Sequence, residues 1–413
     1  MQTRRNIFLW TLYDFANSVV SVVFFLYFSQ WVVIDRGISD FRFNLTFTTA
    51  AVLLLFTAPL TGVLLDKFLR RITGLRYATL FTVIFYGLCA LSAVYNRESD
   101  ALIFFTLGFY SYLLSFTFYT PLINDIAPVE RRGRISGFGI AANYLGQLIG
   151  LIIALPFSNK TFILFNAAPR AETLLPSVVI FSFLSLPMLL FFREPKRTPG
   201  KISLGAELKN TFQESKTLFI FPSVAFFLAS YFLFNDAILT VINNFPIAVE
   251  QIWGVSDTTK TYIALGIITT SAIGGVFSGM LADRFGHKRT LMWILVGWLF
   301  IMPLIALLTN FTLFVISTIL LGFWLGANWT VSRSVMSYVA PPGKHNLAFA
   351  YFGLAERASS FIGPIVWGLI VSNLVSMGSY RYRIATLAIT GFILLGLFTF
   401  SHVRDDRKSH IAV

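Results

Sequence analysis

Apolar residues gather along the chain into runs of roughly 20, each long enough to cross about 30 Å of hydrocarbon as a helix, with charged clusters between them. The pattern predicts twelve spans, at about 7–33, 45–65, 76–95, 101–123, 135–156 and 174–192, then 219–246, 261–282, 290–308, 311–332, 347–377 and 384–402. The first run is too long for the apolar region of a signal peptide and no small-residue cleavage site follows it, so it reads as a retained span. The expected fold class is an all-α membrane protein of twelve transmembrane helices in two six-helix pseudo-repeats.

The polar positions between the runs set the orientation. Most of the 32 Lys and Arg fall in the tails and in the loops on the side of the termini, which by the positive-inside rule puts both termini in the cytosol. The longest such connection divides the chain into bundles at 1–192 and 219–413, joined by a linker at 193–218. That linker begins with the basic, proline-broken "REPKRTPGK", and then places Leu204, Leu208 and Phe212 at i, i+4 and i+8, as a short helix on the membrane surface would.

Composition agrees with the pattern. Apolar residues make up 56% of the 413 and charged residues 12%, with a mean hydropathy of +0.73, where a soluble domain has about a quarter charged residues. The net charge of +13 is accounted for by topology and by contact with anionic lipid, so no nucleic-acid partner is expected. Cys89 is the one cysteine and is expected to serve in packing.

The halves repeat each other. "GVLLDKFLRR", Gly62 to Arg71, follows the second span, and "GMLADRFGHKR", Gly279 to Arg289, follows the eighth. "IAPVERRGRISGFGIAANYLGQLIG", from Ile126, and "VAPPGKHNLAFAYFGLAERASSFIG", from Val339, follow the fourth and tenth. Six plus six spans in parallel repeat is one of the transporter architectures. In these loops Gly62 and Gly279 are placed for close helix approach. Asp66 and Asp283 are placed to pair with bases across the cytosolic face, among them Arg70, Arg71, Arg284, Lys288 and Arg289. A static topogenic anchor is the other reading. Asn124 and Asp125 are assigned to the neighbouring loop's charge network with Arg131, Arg132 and Arg134.

Three acids fall inside spans, Asp14, Asp236 and Glu356, alongside a single base, Arg357. Each carries an insertion penalty of about 2.5–3.5 kcal/mol and is expected to face a partner or a watery cavity. Asp14, Asn17, Ser18 and Ser21 form one stripe on the first span. Asp236, Thr240, Asn243 and Asn244 form another on the seventh, with Asn235 beside it. The eleventh carries Glu356, Ser359, Ser360 and Gly363, and its repeat partner, the fifth, carries Asn143, Gln147 and Gly150. These stripes predict a shared polar cavity between the halves that takes a small-molecule substrate. The acids either couple protons to transport or are permanently paired and hold helices together. Arg357 points about 100° away from Glu356, and either clamps a substrate carboxylate or pairs with an acid on another helix.

The loop at Gly279–Arg289 resembles the signature loop of the major facilitator superfamily. "LYDFANS" in the first span, "IAPVERRGRISGFG", "SRSVMSYVAPPGKHN" and the Gly363–Pro364 pair are similar to its vacuole-effluxer-like branch. The resemblance covers nearly the whole chain. Leu69 departs from it, standing where the loop glycine is expected. The resemblance implies a latch role for the repeated loops, a cavity lined by spans one, four, seven and ten, and export of small amphipathic solutes such as amino acids.

No phosphate-binding Gly-x-x-x-x-Gly-Lys-Ser/Thr loop, HExxH motif or Cys/His cluster occurs. An enzyme, a metal site and a cofactor are therefore not expected. The sequence predicts a monomeric secondary active transporter of an inner or organelle membrane, working by alternating access. A non-transporting sensor or scaffold with the same fold and a lipid or drug exporter are the alternatives.

Overall fold

The computed structural model describes residues 2–67, 70–126, 129–194, 213, 216–341 and 343–404. Within them the chain is helical and twelve helices are long and apolar enough to span a membrane: α1 (Arg4–Asp35), α2 (Asp40–Ala58), α3 (Arg71–Val94), α4 (Glu98–Ile126), α5 (Ile135–Ser158), α6 (Pro169–Phe191), α7 (Pro222–Trp253), α8 (Asp257–Phe285), α9 (His287–Leu307), α10 (Phe311–Val339), α11 (Leu347–Asn373) and α12 (Tyr380–Ser401). Most of the 193–218 linker, including Leu204, Leu208 and Phe212, lies outside the described residues.

Helices α1–α6 pack on one another, and so do α7–α12, with α2 against α11 and α5 against α8 joining the two sets. Because lipid tails are as apolar as leucine, such helices associate through close fit and interhelical hydrogen bonds. In the first set stacked rings fill the interior, with Phe24 on Tyr86 at 4.2 Å and Phe28 on Phe105 at 4.6 Å between centroids. In the second, glycines bring α8 and α10 into backbone contact. A Cβ on Gly274 would strike the Phe323 carbonyl, and one on Gly326 the Ser271 carbonyl. Gly146 and Gly150 seat α5 on the α1 backbone in the same way. The large exposed side chains of α6, α9 and α12, such as Phe183, Phe300 and Phe398, are where lipid would cover them.

Several helices run farther than the apolar runs predict, and in four of them the extra turns join polar networks. Helix α6 begins at Pro169 and takes in Arg170; α7 runs to Trp253 and takes in Glu250; α8 begins at Asp257 and takes in Lys260; α10 runs to Val339 and takes in Arg333. The expectation of a single base inside the spans is thereby corrected. Helix α11 is broken rather than continuous, stopping at Ala358 and restarting at Gly363. Non-helical backbone at membrane depth is tolerated only where protein or water satisfies it, and here Asp236 does so.

Candidate functional site

At the end of the bundle away from the termini the two halves are joined by charge. The Arg170 guanidinium of α6 reaches Asp35 of α1 at 2.7 Å, Glu250 of α7 at 2.5 Å and Asp257 of α8 at 2.9 Å. Lys260 of α8, fully buried, binds Glu250, the Gln30 side chain of α1, and Asp257 at 2.7 Å. Below this cluster Tyr27 bonds Thr261 at 2.8 Å and Asn44 pairs with Asn244 at 2.8 Å, each across the halves. On the opposite flank Tyr382 donates to Asp40 at 3.2 Å and the Phe41 amide donates to Ser372 at 3.3 Å. This end is closed.

Nearer the termini the halves face each other across partly exposed polar side chains. From the first half, Asn143 donates to Asp14 at 3.4 Å and Gln147 donates to Asn143 at 2.7 Å. From the second, Arg333 pairs with Glu356 at 3.3 Å, its side chain still 42% exposed. Asn235 donates to the Glu356 carbonyl at 3.1 Å and to Ser359 at 2.6 Å, and accepts from the Trp329 indole at 3.4 Å. Arg333 and Arg357 both lie within electrostatic reach of Asp14. Among the described residues Asp14 and Arg357 have no ion-pair partner.

Arg357 donates to Gly353 at 3.0 Å and to Thr120 at 2.8 Å, and lies over the Phe116 ring at 5.3 Å. Among the described residues no acid of another helix pairs with it, although such pairing is one of its two expected arrangements. Glu356 is neutralised by Arg333 instead. Sequence reasoning missed Arg333 by ending α10 at 332, although Val335, Met336 and Val339 continue the apolar spacing beyond it and Trp329 shares its face at i−4.

Asp236 is buried at 1% exposure. Its carboxylate accepts from the amides of Phe361 at 3.1 Å, Ile362 at 3.2 Å and Gly363 at 2.7 Å, the amides freed by the break in α11. Gly363 admits it, since a Cβ there would meet Thr240 and Asp236. An anion at a helix start is favoured by the amides and the dipole together. Asp236→Asn keeps the shape and loses the charge, so it should destabilise the protein by about 1–3 kcal/mol. A fall in the thermal midpoint of detergent-solubilised protein checks this. Asn243 lies deeper on the same helix, 3.4 Å from Ser360, and Asn17 is buried in α1.

The repeated loops are less alike in structure than in sequence. The surroundings of Gly62 and the side chain of Asp66 lie outside the described residues; Arg71 pairs with Asp125 at 3.5 Å and Arg70 is exposed. In the second copy Gly286 turns the chain at φ +95, a conformation its position requires. Lys288 donates to the Ser401 carbonyl at 3.1 Å, while Asp283, Arg284 and Arg289 are exposed. Gly279 is not at a close approach: a Cβ there would sit 3.8 Å from Thr330, an ordinary contact. The tight glycines of α8 lie earlier, Gly274 against Phe323 and Gly266 against Ile319.

The model of the family described as vacuole effluxer Atg22 like matches residues 123–410. The chain belongs to that family. An uncharacterized MFS-type transporter, YxiO of Bacillus subtilis (strain 168), is 22% identical over 94% of this chain and 93% of its own. Autophagy-related protein 22 of Pichia angusta is 31% identical over 40% of this chain and 32% of its own. Among solved structures, a bacterial homologue of the human lysosomal transporter Spinster superposes with a TM-score of 0.73 at 13% identity, over 96% of this chain and 95% of that one. The likeness to the solved structure is one of fold. Together with the family match, it makes this chain a multi-pass membrane transporter of the major facilitator type.

Proposed function

We propose that the protein is a secondary active transporter that moves a small zwitterionic solute, of the amino-acid class, out of the compartment its termini face. The observation that carries the reading is a pair of opposite charges, Asp14 from one half and Arg357 from the other, that have no ion-pair partner among the described residues and lie at the end opposite the Arg170 cluster. A solute ammonium would answer Asp14 and its carboxylate would answer the Arg357 fork, so that one small molecule bridges both halves. With the termini in the cytosol, as the positive-inside rule favours, a solute would enter between the halves from that side. Rocking of the halves about the site would then carry the solute outward.

Proton coupling is assigned to Asp14 and Glu356. Asp14 is held by Asn143 and Glu356 by Arg333, and Arg333 would exchange between Glu356 and a solute as the halves move. Asp236 and Asn235 are assigned to holding the broken helix; Asn17, Asn143, Gln147 and Asn243 shape the polar wall.

Proteoliposomes loaded with mixed radiolabelled amino acids and placed under an imposed pH gradient test this. Counterflow should occur with the wild type. Arg357→Met and Asp14→Asn should each reduce it about 10–100-fold, the equivalent of one charge-assisted hydrogen bond of ~1.5–3 kcal/mol. Glu356→Gln should leave counterflow but abolish its response to the gradient. Absence of flux in the wild type, or flux indifferent to all three substitutions, overturns the proposal.

A further inference from the structure

The connection between α5 and α6 carries four consecutive exposed apolar side chains, Phe162, Ile163, Leu164 and Phe165, with exposures of 57%, 59%, 56% and 43%. A water-exposed loop tip would not keep such a run, since exposed apolar patches mark a surface covered by something.

The loop is not a free arm. Its rear is clamped by Glu172, a 2%-exposed carboxylate that accepts from the amides of Leu164 at 3.0 Å, Phe165 at 3.0 Å and Ala167 at 2.8 Å. Its front folds back on α5: the Phe162 amide donates to the Pro156 carbonyl at 2.9 Å, and its ring lies 5.9 Å from that of Phe157. The fold-back sets the depth of the run. Phe162 sits level with the last turn of α5, one turn beyond the stripe Leu145, Ile149 and Ile152 that the helix leaves exposed. Tyr95, Tyr262 and Tyr380, exposed near the same end of α3, α8 and α12, mark an aromatic belt at that level.

We infer that residues 162–165 are a lipid-immersed anchor, a preformed apolar wedge seated in the bilayer leaflet at the closed end. Lys160, exposed and held at φ +65 just before the wedge, is placed at headgroup level, where an ammonium meets lipid phosphate. The clamp residue Glu172 is two positions from Arg170, so the leaflet's hold on the wedge bears on the first half of the charge cluster.

The test uses full-length protein on a Cys89→Ser background in vesicles of phosphatidylethanolamine and phosphatidylglycerol, with a nitroxide placed in turn by Phe162→Cys, Ile163→Cys, Phe165→Cys and Lys160→Cys. Labels at 162, 163 and 165 should collide more readily with oxygen than with a water-soluble nickel chelate, and the label at 160 should show the reverse. A nickel preference at 162–165 overturns the anchor. Protection from both reagents also overturns it, in favour of cover by a second copy or another protein. The unmodified chain supplies a check independent of the variants. A lipid-soluble carbene reagent should label the 159–168 peptide, and failure to do so counts against the proposal equally.

Discussion

Arg170→Ala is expected to open the closed end of the bundle. The guanidinium is 11% exposed and touches three carboxylates, two of them on the opposite half. Its removal leaves Asp35, Glu250 and Asp257 with Lys260 as the one base of the cluster, so the acids repel across the interface they had closed. Breaking a buried ion network by deleting one partner typically costs about 3–5 kcal/mol. In the open arrangement water can reach the same acids, so the penalty falls on the closed state and shifts the balance between the two by ~100-fold or more. The measurement is the rate at which an impermeant maleimide, added from that side, labels Thr261→Cys on a Cys89→Ser background. Thr261 is buried beside Tyr27 between the halves, so labelling should be slow with Arg170 present and at least about tenfold faster without it. Arg170→Lys should fall between, because an ammonium restores charge but cannot reach three carboxylates as the fork does. Equal labelling rates with Arg170 intact and in the Arg170→Ala variant would mean that the cluster closes nothing.

That cluster also shows where sequence reading ran out. Apolar runs locate the spans, and the stripes on α1, α5, α7 and α11 pick out residues that meet within each half, Asn143 on Asp14 and Asn235 beside Glu356. Arg170, Glu250, Asp257, Lys260 and Arg333 escape the same reasoning for one physical cause. Each stands at a helix end, where a hydropathy window reads a charge as the start of a loop, although the helical hydrogen bonds continue through it. Partners as far apart in sequence as Asp35 and Arg170 cannot be read from local spacing. The Gly363–Pro364 pair signals the break in α11, but that Asp236, 127 residues before Gly363, caps it is not legible from local spacing. Gly274, Gly322 and Gly326 are visible only as small residues; that their neighbours are backbone carbonyls is a property of the fold.

Those carbonyls make Gly326→Val the most damaging single substitution expected outside the charged clusters. A Cβ at 326 would overlap the Ser271 carbonyl, while Gly322 and Gly274 meet Ile267 and Phe323 in the same manner, three backbone contacts along one pair of helices. A side-chain neighbour could rotate away; backbone can yield only if α8 and α10 separate. Separation would also break the bonds from Ser271 to the Gly322 carbonyl at 2.9 Å and from Thr270 to the Ile319 carbonyl at 2.5 Å, each worth about 0.6–1.7 kcal/mol in a membrane interior. Added to overpacking of about 1–3 kcal/mol, the total is on the order of 4 kcal/mol, enough to lower the thermal midpoint of a chain of this size by about 5 °C. Gly279→Ala, at the same helix interface but with its nearest neighbour 3.8 Å away, should be neutral or slightly stabilising through helix propensity. Circular dichroism melts of both variants in one detergent separate the cases. If Gly326→Val melted with the wild type, close glycine packing could not be what joins α8 to α10.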